Sequence, residues 1–95
     1  MEPISFTFAV VFSNQVIHLR ATRIDVQPAC ELWQVDAKNK MLVFECDRPA
    51  MVAQGAGHLM WNWILKQGES SAYGQKEITQ ALGIVVRRMM HQGKL

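Results

Sequence analysis

The chain has few of the features that mark a specialised class of protein. Its two cysteines, Cys30 and Cys46, are too few for a disulfide scaffold. Ten basic residues against eight acidic ones leave a net charge of only +2, without the clustered excess usual in nucleic-acid-binding domains. Charged residues make up 19% and hydrophobic residues 49%, the balance of a folding chain rather than a disordered one. No apolar run exceeds that from Ala9 to Phe12, so no segment reads as a membrane-spanning helix. No Lys or Arg precedes Arg20, so the basic start of a secretory signal is missing. A cytoplasmic chain with reduced thiols is the expectation. Internal repeats and low-complexity runs are absent. Gly55 and Gly57 do not build a phosphate loop, since no Gly-Lys-Ser/Thr follows them.

At 95 residues, the chain reads as a single domain over 1–95. Phe6, Phe8, Val10 and Phe12 alternate with Ser5, Thr7 and Ala9, the period of a strand. Ser13-Asn14-Gln15 is a polar turn, and Val16 to Asp25 reads as the return strand. There Ile17, Leu19 and Ala21 face inward, then the apolar phase slips to Ile24 and Val26, which predicts a bulge near Thr22-Arg23 or an early strand end. Pro28 ends the segment. A second hairpin is predicted from Glu31–Asp36 and Met41–Cys46, joined at Ala37–Lys40, where Asn39 suits a positive φ. Apolar residues on both faces of Met41–Cys46 predict a strand inside the sheet. Met51 to Gly57 reads as loop.

Residues 58–67 fit two patterns. A helix would end at Gly68, while Trp61, Trp63 and Leu65 alternate as in a strand; periodicity leaves both open over so short a run. Tryptophans two apart suit a pleated face, so a fifth strand is the reading adopted. Ile78, Ala81, Leu82, Val85 and Met89 form an amphipathic helix stripe. Glu77 near its start and Arg87, Arg88 and His91 near its end suit the helix dipole. The predicted fold class is therefore α+β: a small antiparallel sheet of four or five strands packed against one C-terminal helix.

The stretch Ala37 to Pro49, following an N-terminal Phe-x-Phe hairpin, resembles a set of short uncharacterised bacterial proteins of Bacteroidetes type. Those proteins also end in a Trp-bearing segment and one amphipathic helix. The resemblance spans nearly the whole chain and implies an architecture, with no activity and no site residues. Separately, Gln75 to Ile84 is similar to the first helix and turn of helix-turn-helix regulators. That likeness implies buried Ile78 and Leu82, a turn at Gly83, and a recognition helix from Val85 to His91.

No chemistry of catalysis or metal binding is expected. Fifteen residues lie between Cys30 and Cys46, and no histidine is close in sequence to either, unlike a zinc site. His18, His58 and His91 stand beside no nucleophile in a known arrangement. No cofactor is implied. Trp61 and Trp63 are the candidate partner contact, with a buried core cluster as the competing use of the same rings. Arg87, Arg88, His91 and Lys94 are the candidate phosphate contacts of a DNA-binding reading over 75–92. Ile84-Val85-Val86 are apolar where a groove reader would be polar, which ranks nucleic acid behind protein. The expected function is a non-catalytic interaction domain that binds a protein partner or a second copy of itself. The alternative is a DNA-binding regulator.

Overall fold

A computed structural model of the protein describes residues 3–38, 40–68 and 72–95, and the side chains of all of these but 72 and 73. The elements are β1 (Ser5–Phe12), β2 (Gln15–Val26), β3 (Glu31–Ala37), β4 (Lys40–Cys46), α1 (Arg48–Ala53), β5 (Trp63–Gln67) and α2 (Ala72–His91). The strands form one antiparallel sheet in the order β1-β2-β3-β4-β5, a meander in which each strand pairs with the next. Among the described residues no helix is long and apolar enough to cross a membrane.

Alternation in the strands creates the inner face. Phe6, Ala21, Val35 and Leu42 make one cross-strand row, and Arg23, Trp33, Phe44 and Leu65 the next. Trp33, Val35, Phe44 and Cys46 are fully buried, in one core cluster with Ile78, Leu82 and Val86 of α2. Ser5, Thr7 and Ala9 of β1, with His18 and Arg20 of β2, are exposed on the outer face. The first hairpin closes through Ser13 and Asn14, both at positive φ (52° and 62°). Phe12 pairs with Gln15 across them, so the loop is the two-residue turn whose twist matches the strands. The predicted bulge is present, with the β2–β3 register slipping between Arg23 and Asp25. It leaves Ile24 47% exposed. Asn39 lies outside the described residues.

The structure corrects three expectations. The region read as loop from Met51 begins inside α1. Pro49 occupies its first turn, where a missing N–H costs nothing, and short-range apolar spacing gives no warning of a helix this brief. Strand β5 starts at Trp63, so Trp61 lies ahead of it in an irregular segment. The helix stripe rotates slightly: Ile78, Leu82 and Val86 are buried, Ala81 and Val85 pack half-buried against the core as expected, and Met90 rather than Met89 joins them. A helix crossing a sheet makes contact along its i, i+4 row, which drifts round the axis relative to an averaged stripe.

α2 also runs unbroken through Gly83. The turn implied by the helix-turn-helix likeness is not formed, and residues 75–91 belong to one helix. Gly83 faces Trp63 without crowding it: a Cβ there would sit 3.6 Å from Trp63 Nε1, an ordinary contact. Beyond His91 the helix is closed by Gly93 (φ +73°), with the Gly93 N–H donating to the Met90 carbonyl and the Lys94 N–H to that of Met89. This paired closure is a glycine C-terminal cap.

Candidate functional site

An open groove of about 910 Å³ runs between α2 and residues 60–63. One wall is helical, formed by Thr79, Gln80, Gly83, Ile84, Arg87, Arg88, His91 and Gln92. The other is Met60, Trp61, Asn62 and Trp63. The groove therefore unites the two groups singled out separately in the sequence, Trp61 and Trp63 with Arg87, Arg88 and His91. Lys94 does not line it; the chain has already turned at Gly93.

Local chemistry fixes the irregular wall. The Asp47 carboxylate accepts from the Asn62 backbone N–H at 2.8 Å and from the Asn62 side-chain amide at 3.4 Å. The Asp47 N–H donates in return to the Asn62 carbonyl at 3.3 Å. Asp47 thus anchors the residue between the tryptophans. Trp61 is 7% exposed, and its Nε1 donates to the Gly57 carbonyl at 3.2 Å. Trp63 is half-buried beside Gly83.

Arg87 is occupied by the fold itself. Its guanidinium lies 4.3 Å from the centre of the Trp61 ring, a cation–π arrangement. Its terminal nitrogens donate to the Gly57 carbonyl at 3.2 Å and the Leu59 carbonyl at 2.7 Å. Arg87 therefore clamps residues 57–61 onto α2 instead of waiting for a phosphate. Arg88 and His91 are exposed, and among the described residues neither pairs with a carboxylate. Apolar surface flanks them: Met60 is 90% and Ile84 61% exposed.

The cysteines do not form a redox pair. Cys46 points into the core from the position opposite Glu31, and Cys30, one residue earlier than Glu31, joins Glu45 in a smaller cavity on the other side of the sheet. Both are free thiols. Burial pushes the Cys46 thiol up to about 12, and a hydrogen bond with Glu45 raises that of Cys30. Both shifts move the sulfurs away from the nucleophilic thiolate. Among the described residues no group of three or more His, Cys, Asp or Glu side chains is placed to hold a metal ion.

Sequence reasoning missed three structural residues. Glu31 is fully buried and joined to Arg48. Its signal was present, since Glu31 shares strand parity with Trp33 and Val35 and so had to face inward. Asp47 was read only as the end of a strand, though an acidic residue two before proline is a helix-start signal. No local pattern announces Arg87 as a clamp. Comparison with protein-family models, curated proteins and solved structures found no match.

Proposed function

We propose that this protein is a non-catalytic interaction domain that binds a segment of a protein partner in the groove between α2 and residues 60–63. The observation that carries the reading is the groove itself: a 910 Å³ concavity flanked by Met60 and Ile84, which leave large apolar surfaces in water. Exposed apolar surface gathered around a concavity is the usual mark of a contact site. From Thr79 to Gln92 the helical wall is about 20 Å long at 1.5 Å per residue, enough for about six residues of extended peptide. An open trough of that length suits a chain segment better than a small molecule, whose site would enclose it.

Two observations favour protein over nucleic acid. One face of Trp61 is covered by Arg87, so it offers little as a stacking platform. Arg87 is also engaged with two backbone carbonyls, which reduces the cations free to meet phosphate.

The reading is tested by selecting a displayed library of random peptides of about twelve residues on the folded protein, and repeating the binding with Met60→Ser/Ile84→Ser. Both positions are exposed, so the variant keeps the fold. Enriched peptides that lose affinity for the variant support the groove. Failure to enrich any peptide, or binding indifferent to the double substitution, overturns it.

A further inference from the structure

The acidic residues of the chain are absent from both walls of the groove. From Val52 to Gly68 there is no Asp or Glu, and from Ile78 to Leu95 there is none either. The second stretch carries Arg87, Arg88, His91 and Lys94. Of the carboxylates near the groove, Glu31 bonds Arg48 and Glu45 lies 3.6 Å from Lys66, Asp47 holds the neutral Asn62, and Glu77, just ahead of Thr79 on α2, keeps one buried carboxylate oxygen without a hydrogen-bond partner. In a chain of almost balanced overall charge, the charged side chains that line this groove are therefore all basic. Arg88 is the strong free charge in that lining, on a helical wall that also presents Ile84.

On the reading that the groove binds a protein segment, we infer that the segment is acidic. It seats an aliphatic or aromatic side chain against Trp63, Ile84 and Met60, and places an Asp or Glu within reach of Arg88. The apolar walls supply the attraction, while the basic lining selects the sign of the partner and rejects basic segments. An acidic segment without an apolar anchor meets only exposed charges, which attract weakly in water and salt. A purely apolar segment leaves Arg88 unused and gains nothing from the basic lining. Arg87 contributes its charge but not its hydrogen bonds, because Gly57 and Leu59 hold them.

The experiment uses the same displayed library of random peptides of about twelve residues, selected in parallel on the wild-type chain and on Arg88→Glu. Arg88 is exposed, so reversal of its charge leaves the fold intact. The expected result is enrichment of Asp and Glu beside an apolar residue on the wild type. Those peptides lose about tenfold in affinity on Arg88→Glu and weaken as salt is raised. Selection on the variant is expected to lose the acidic preference. Neutral or basic peptides that still depend on Met60 and Ile84 would overturn the acidic partner while leaving the groove reading standing. So would acidic peptides indifferent to Arg88→Glu. Absence of any peptide sensitive to Met60→Ser/Ile84→Ser would overturn both. Displacement of the selected peptides by a single-stranded oligonucleotide at physiological salt would replace the protein partner with nucleic acid.

Discussion

Inside the core, the Arg48 guanidinium donates two hydrogen bonds to the Glu31 carboxylate, Nε to Oε2 at 2.7 Å and Nη2 to Oε1 at 2.8 Å. Glu31 is fully buried and Arg48 8% exposed, and Arg23 stands 3.6 Å from the same carboxylate. The pair ties the start of α1 to β3, and with Arg23 reaches β2. Hydrogen bonding to Glu31 outweighs the cost of burial and raises the Arg48 pKa, so the guanidinium stays charged. Breaking such a pair from one side strands a charge in the core. Arg48→Met is therefore expected to cost about 3–5 kcal/mol, and Glu31→Leu/Arg48→Met to recover much of that loss. Urea unfolding of the two variants and of Glu31→Leu measures the coupling. A double variant as unstable as the single one would show that the pair is not the unit.

Val86 and Ile84 are close neighbours on α2 with opposite surroundings, 0% and 61% exposed. Val86→Asp places a carboxylate among Leu82, Phe44 and the rest of the core, and is expected to cost about 3 kcal/mol or more or to prevent folding. Ile84→Asp is expected to stay within about 0.5 kcal/mol of the parent, as exposed substitutions do. Thermal melts of the two variants read the rotation of the helix directly. Equal losses would mean that α2 packs on another face.

Cys46 links stability to alkaline pH. Its folded pKa, about 12, lies above the ordinary thiol value of 9.0, because burial penalises the thiolate. The unfolded thiol gives up its proton first. The stabilisation is thus complete below pH 9 and declines as pH rises toward 12, by about 1.4 kcal/mol per unit. The difference in unfolding free energy between wild type and Cys46→Ala isolates this slope from lysine and tyrosine titration. At neutral pH a thiol reagent is expected to modify half-buried Cys30 before Cys46, and both after unfolding.

Two glycines answer to alanine in opposite directions. Gly68 follows β5 at φ +95°, and a Cβ there would run into the Met41 carbonyl oxygen and, at 2.8 Å, Leu42 Cδ2. Gly68→Ala is expected to cost about 2 kcal/mol or more through backbone strain and collision. At Gly83 the added methyl meets only Trp63 Nε1 at 3.6 Å, an ordinary contact. Gly83→Ala is expected to stabilise the fold by about 0.5–1 kcal/mol, from helix propensity alone. Chemical denaturation of both variants decides the signs.

Much of the sheet was legible because strand alternation is local. The pairing of Phe8 with Leu19 and of Val35 with Leu42 follows from which side chains must face inward once two short turns are accepted. The bulge after Arg23 was legible for the same reason, as a slip in apolar phase. In segment 58–67 the strand over Trp63–Gln67 was legible by the same alternation, but the irregular run before it was not. Its path depends on Asp47, whose carboxylate captures Asn62 fifteen residues away.

The amino-acid sequence by itself determined the period of each element, the tight turn at Ser13-Asn14, the glycine cap at Gly93 and the scarcity of acid in the last eighteen residues. Those properties are written in neighbouring side chains and in backbone preferences that act over a few residues. Only the tertiary structure decided that Glu31 meets Arg48, that Arg87 is held by Gly57, Leu59 and Trp61, and that Arg88 and His91 share a groove with Trp63. These are meetings between residues distant in the chain. They depend on how far α2 rotates as it packs on the sheet, and that angle is set by fitting Leu82 and Val86 into a core drawn from several strands at once.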